Sequence, residues 1–197
     1  MFLSTPNPSE ASSDLYVRDM IDDGYVSNFT RLWAWRPDVF EAFLNVRTLL
    51  TERATLSFRE RAILVCATAA NVGDSYCALA WGTRLASEAD PATAAEVLQR
   101  KEASALTARE RALATWAGQV VQKPNAITVE DVDRLRGAGI SDEEIFNATV
   151  FVAFRLAFST VNDALGACPD EPLAASAPAT VRDAVSYGRI VADSSAK

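Results

Sequence analysis

Apolar residues along the chain recur at helical rather than alternating spacing, as in Ile145, Thr149, Val152, Phe154 and Leu156. Between these stripes, helix-start signals return at intervals. Ser57-Phe-Arg-Glu60, Thr107-Ala-Arg-Glu110 and Ser141-Asp-Glu-Glu144 fit the capping box, in which hydroxyl and carboxylate satisfy free backbone donors. Thr128-Val-Glu-Asp131 is a weaker variant, and Asp90-Pro91 suits a cap followed by proline in the first turn. Asp74-Ser-Tyr-Cys77 also fits a cap, with the Asp74 side chain in reach of the Cys77 amide. No alternating strand pattern with hairpin turns accompanies them. The reading is all-α, with helices over 58–70 and 75–88, an aromatic-rich helix over Leu32–Phe43, and a last long helix that starts after Ser141.

One segment echoes another. LSFRERAIL at 56 and LTARERALA at 106 share the cap and the R-E-R-A entry fifty residues apart, which suggests two related helical units. Beyond Pro169 the chain turns rich in Ala, Ser and Pro. The expected organisation is one helical domain over 1–170 and a tail over 171–197, with a short helix near Val181 to Ile190.

Composition narrows the partners. The 197 residues are 49% hydrophobic with a net charge of −7, which speaks against nucleic acid or an anionic membrane as the main partner. The longest uncharged run, Ala62 to Gly73, is far short of a bilayer span. MFLSTPNPSE has neither the basic start nor the apolar core of a signal peptide. Cysteines at 66, 77 and 168 form no scaffold pattern, so a cytoplasmic location is expected. There is no histidine, the thiols lack metal-ligand spacing and no Gly-rich phosphate loop occurs, so neither metal nor cofactor is expected.

The stretch LSFRERAILVCATAANVGDSYCALAWGTRLA carries the most chemistry. It resembles the core of the alkylhydroperoxidase D / carboxymuconolactone decarboxylase family, where a glutamate on one helix precedes a C-x-x-C-x-x-x-H motif on the next. GYVSNFTRLWAWRPDVFEAFLNVRTLL at 24 and ITVEDVDRLRGAGISDEEIFNATVFVAFRLAFSTVNDALG at 127 are similar to the family's flanking units, in the same order. The resemblance covers roughly residues 15 to 170 and implies an alkylhydroperoxidase D-like helical bundle. It is a degenerate member. Cys77 alone survives from the motif, with Asp74 at the first cysteine position, Trp81 at the histidine and Ala62 at the glutamate.

Thiol peroxidation needs a thiolate, a base to form it and a second thiol to resolve the product. An unassisted cysteine of pKa about 8.5 is only about 3% thiolate at neutral pH, so the usual two-cysteine cycle is not expected here. The candidate catalytic residues are Cys77, Asp74 and Tyr76; the candidate lining residues are Ala62, Cys66, Trp81, Arg84 and Arg155. Each has a plainer role: Cys77 and Cys66 as small buried hydrophobes, Asp74 as an N-cap, Tyr76 in packing, and Trp81 filling the space it would otherwise wall. Arg155, in the apolar run FVAFRLAF, needs an acidic partner, with Glu60 or Asp163 as structural choices and a ligand carboxylate as the functional one.

Three functions compete. The first is a cofactor-free small-molecule enzyme of lyase, decarboxylase or isomerase type, with a hydrophobic pocket between helices 58–70 and 75–88. The second is a one-cysteine peroxidase, peroxiredoxin-like, using Cys77. The third is a non-catalytic oligomeric binder. The expected partner is a small hydrophobic or aromatic molecule. The resemblance implies a homo-oligomer, a trimer or hexamer, because family members bury helical faces between subunits. Light scattering at micromolar concentration should give a mass of three or six chains; a stable monomer would contradict the expectation.

Overall fold

The computed structural model describes residues 1–52 and 56–192. Among these residues there are eleven α-helices and no strand. The helices are α1 Glu10–Asp22, α2 Asn28–Trp33, α3 Pro37–Glu52, α4 Phe58–Val72, α5 Ser75–Glu88 and α6 Pro91–Leu98, followed by α7 Ala108–Gln122, α8 Val129–Gly137, α9 Asp142–Ala164, α10 Glu171–Ser176 and α11 Ala179–Ala184. A single 3-10 turn, Pro124–Ala126, joins α7 to α8.

The starts lie where the side chains dictate. At α4 the Ser57 hydroxyl accepts from the Glu60 amide at 3.1 Å while Glu60 Oε2 accepts from the Ser57 amide at 2.7 Å. Thr107 and Glu110 repeat the exchange at α7, as do Ser141 and Glu144 at α9. Asp90 Oδ1 accepts from the Ala92 and Thr93 amides, both at 2.9 Å, with Pro91 in the first turn of α6. Asp131 closes α8 through the Thr128 amide at 2.8 Å. Each box ties up backbone donors that a helix start leaves free.

Buried on nearly every side, α4 is the centre of the molecule. Ala62, Ile63, Leu64 and Cys66 are all at 0% exposure. α5, α7, α9 and α6 all pack on it. The sequence echo becomes a symmetric element here, because α4 and α7 run parallel. At their N-termini Arg59 pairs with Glu110 and Arg109 with Glu60, both at 2.6 Å, so each arginine reaches the other helix's capping glutamate. Arg109 also binds Glu144 of α9 at 2.6 Å. At the opposite ends the Gln122 amide donates to Asn71 Oδ1. Arg61 and Arg111 each donate back to a carbonyl of their own approach, Leu56 and Leu106.

One expectation is corrected. The helix expected over Leu32–Phe43 is two helices, α2 and α3, broken before Pro37. Proline lacks the amide for a continuing turn and disfavours helical backbone in the preceding residue, so it starts α3 instead. Trp33 and Phe40 face the core, while Trp35 is 47% exposed. The stretch after Pro169, expected as a tail with a short helix near Val181 to Ile190, carries α10 and α11 over its described part. α11 packs against α6 and α5, burying Val181 and Ala184. That crossing needs Gly82, since a Cβ there would lie 2.7 Å from Leu98 Cδ1 and 2.8 Å from Val181 Cγ1. The chain then continues over the start of α5, where the Ser75 hydroxyl donates to the Arg189 carbonyl at 2.7 Å.

The shared arginine makes stability acid-sensitive. Its hydrogen bond to Glu144 is the main cause holding that carboxyl near 2, against about 4.3 in an unfolded chain. A depressed folded pKa gives stabilisation that is complete above the unfolded value and lost as pH falls from about 4 toward 2. Arg109→Ala should cost about 2 kcal/mol at pH 7, because it strands two largely buried carboxylates. It should also flatten the acid limb. Urea denaturation at pH 7 and pH 3 checks both.

Candidate functional site

The link between α4 and α5 sets the site. Gly73 takes a left-handed conformation, φ +80°, and its amide and that of Asp74 both bind the Ala69 carbonyl, at 2.9 and 3.0 Å. A side chain at that φ would be strained, so the tight reversal depends on glycine. Asp74 then caps α5, its Oδ1 accepting from the Cys77 amide at 2.9 Å. Cys77 is thereby fixed in the first turn of α5, 3% exposed.

From the other side, α9 supplies the neighbours of the sulfur. Arg155 Nη2 lies 3.2 Å from Cys77 Sγ. One turn on, the Ser159 hydroxyl donates to Asp74 Oδ2 and stands 3.8 Å from the same sulfur. The Arg155 guanidinium, 7% exposed, lies between two aromatic faces, 5.3 Å from the Trp81 ring centre and 5.2 Å from that of Phe158. Such cation–π contacts stabilise a desolvated guanidinium but do not neutralise it. Among the described residues no carboxylate lies within 4 Å of it, and its Nε has no hydrogen-bond partner. Beyond half-buried Trp81, Arg84 covers the ring at 5.1 Å and Phe58 stacks at 5.9 Å.

Electrostatics keep the thiol protonated. Burial pushes Cys77 up to about 12, the Asp74 carboxylate adds to this, and Arg155 pulls the other way. Burial raises Cys66 as well, and a charge on Cys77 would raise it further. Tyr76 is raised by burial and then by the Asp170 carboxylate, to which its hydroxyl donates.

The site therefore brings Cys77, Asp74, Arg155 and Trp81 together, and corrects the reading of their companions. Arg155 pairs with neither Glu60 nor Asp163: Glu60 is held by Arg109, and the guanidinium turns to the sulfur. The Tyr76 hydroxyl donates to Asp170 rather than facing the sulfur, and Asp170 also accepts from the Asn28 amide at 3.1 Å. Arg84 is on the outer face, its Nη1 bound to the Ala80 carbonyl at 2.9 Å. Ala62 and Cys66 lie in the sealed interior of α4. Three clefts open elsewhere on the surface, and none is lined by Ala62, Cys66, Cys77 or Trp81. Among the described residues no cluster of three potential metal ligands occurs.

Ser159 and Asp170 complete these contacts and were not singled out from sequence. Ser159 had a signal: Arg155, Ser159 and Asn162 follow one another at i, i+4 and i+7, a polar stripe on an apolar helix. Asp170 had none, since its contact with Tyr76 spans 94 residues.

No protein-family model and no curated protein matches the sequence. Solved structures do match. An uncharacterised peroxidase-related protein from Ralstonia eutropha JMP134, described as an alkylhydroperoxidase AhpD core, aligns with a TM-score of 0.78 at 24% identity over 87% of this chain and 93% of its own. A peroxidase-related protein from Silicibacter sp. TM1040 aligns at 0.78 and 20% identity, over 87% and 91%. The debrominase Bmp8 aligns at 0.74 and 14% identity, over 94% and 98%. The chain thus has the all-α fold of the alkylhydroperoxidase AhpD core.

Proposed function

We propose that this chain is a cofactor-free enzyme of lyase or decarboxylase type that acts on a small hydrophobic or aromatic molecule, with Cys77 as its proton donor. One observation carries the reading: a buried guanidinium without a carboxylate partner among the described residues lies 3.2 Å from a buried thiol. A thiol held near 12 carries its proton at neutral pH and is an acid rather than a nucleophile. In a decarboxylation the C–C bond breaks, carbon dioxide leaves and the electron pair stays on carbon. That carbon takes the proton from Cys77 Sγ, and the thiolate left behind is stabilised by Arg155 until solvent reprotonates it. Asp74 and Ser159 hold the sulfur in place. Because Cys77 is 3% exposed and none of the three clefts reaches it, half-buried Trp81 has to swing aside to admit the substrate ring, and it then walls that ring on the solvent side.

A structure of a cysteine-to-alanine variant of debrominase Bmp8 in complex with 2,3,4-tribromopyrrole aligns with a TM-score of 0.71 at 13% identity, over 89% of this chain and 96% of its own. It supports the view that this architecture can seat a small aromatic ring. The one-cysteine peroxidase alternative requires a thiolate, which this environment disfavours. Assembly as a trimer or hexamer belongs to the same proposal, supported by exposed Val17, Met20 and Ile21 on α1 and Val39 and Leu49 on α3.

Hydroperoxide turnover with dithiol reductants should be weak or absent. A rate comparable to two-cysteine peroxidases, abolished by Cys77→Ser, would overturn the proposal. In a Cys66→Ser/Cys168→Ser background, alkylation of Cys77 should rise through pH 10 without a plateau; a plateau at or below pH 8 would mean a thiolate at rest. With an arylmalonic acid as probe in heavy water, the product should carry one deuterium at the former carboxyl-bearing carbon. Cys77→Ser should lower kcat by about 10²-fold or more.

A further inference from the structure

The groove between α4 and α7 opens, at residues the Cys77 site does not use, into a cavity of about 440 Å³. That is within the size range of small-molecule sites. Its walls are mostly small, with Ala67 from α4 and Ala114 and Gly118 from α7, and Asn71 and Thr115 add polar groups among them. Its rim carries Arg100, Lys101 and Arg111 against one acid, Glu102. None of these four forms an ion pair among the described residues. In a chain of net charge −7, such convergence of unpaired cations runs against the average surface.

Arg100 gives a second, independent sign. It follows the end of α6 in a Schellman closure, with the Arg100 amide on the Val97 carbonyl at 3.0 Å and the Lys101 amide on the Glu96 carbonyl at 2.9 Å. That closure demands a left-handed residue, and Arg100 has φ +56°, the one positive φ outside glycine among the described residues. Glycine fills the position without strain. An arginine there accepts strain while setting a guanidinium at the cavity rim, and strain of this kind points to use. Arg111 is steadied by the Leu106 carbonyl, so part of the rim is positioned in advance.

We propose that this cavity binds a small amphipathic anion. Its carboxylate or phosphate head would sit on Arg100, Lys101 and Arg111, and its apolar body on Ala67, Ala114 and Gly118. The site is independent of the Cys77 reading.

Isothermal titration of the full chain with octanoate and with phenyl phosphate tests it, with inorganic phosphate and octanol as head-only and body-only controls. At least one amphipathic anion should bind at one site per chain with Kd below about 1 mM, tighter than either control and weaker in high salt. Arg100→Gly should weaken binding at least five-fold while leaving Tm unchanged or raised, because glycine relieves the strain. Ala114→Leu, which fills the cavity and keeps every charge, should abolish binding. Equal binding of octanol and octanoate, saturation by neither anion, or unchanged affinity in both variants would overturn the proposal. So would a fall in assembly mass on Arg100→Gly with a flat anion titration, which would make the rim a contact between copies.

Discussion

Two exchanged arginine–glutamate pairs hold the parallel helices α4 and α7 together at their starts, and the rest of the packing is built around that pair. In each, one carboxylate oxygen caps its own helix and the other meets an arginine of the partner: Glu60 on Ser57 and Arg109, Glu110 on Thr107 and Arg59. Both glutamates are largely buried, 8% and 7% exposed, and a charge so placed is tolerated only when its lone pairs are satisfied. Because the same carboxylates set helix start and helix partner, a shift in register would break both at once. α4 can then be apolar on nearly every face, with α5, α6 and α9 completing its surroundings.

The Cys77 site obeys a different rule. Arg155 is buried among aromatic rings without an acid among the described residues, so the interior holds a cation whose most direct polar contact is a thiol sulfur. Desolvation penalises the thiolate, and the guanidinium offsets only part of that penalty. In the proposed reaction the resting pair is an acid beside an electrostatic stabiliser of its conjugate base. Asp74 sharpens the balance, because the carboxylate that caps α5 and fixes the cysteine also disfavours a second negative charge there.

Helix starts were legible in the sequence to the residue at 57, 90, 107 and 141, since a cap depends on side chains within three positions of the backbone it satisfies. The α4–α5 link was equally legible, from Gly73 and Asp74, and with it the place of Cys77 in a first turn. The echo at 56 and 106 foretold related units, though not that they exchange ion pairs. Pro37 was the local signal missed in the expected helix over Leu32–Phe43, and it was there to be read.

What the sequence by itself determined was the all-α class, the order of the main helices, the capping of each and the place of Cys77 in the first turn of α5. These rest on spacing and on contacts a few residues long. Tertiary structure alone decided that Arg155 faces Cys77 rather than an acid, that Tyr76 is spent on Asp170, and that the alanine-rich C-terminal stretch folds back over α5 and α6. Each of those contacts joins residues 78 or more positions apart. A side chain's partner across such a distance is chosen by which helix faces meet, and one helix's own periodicity carries no record of that choice.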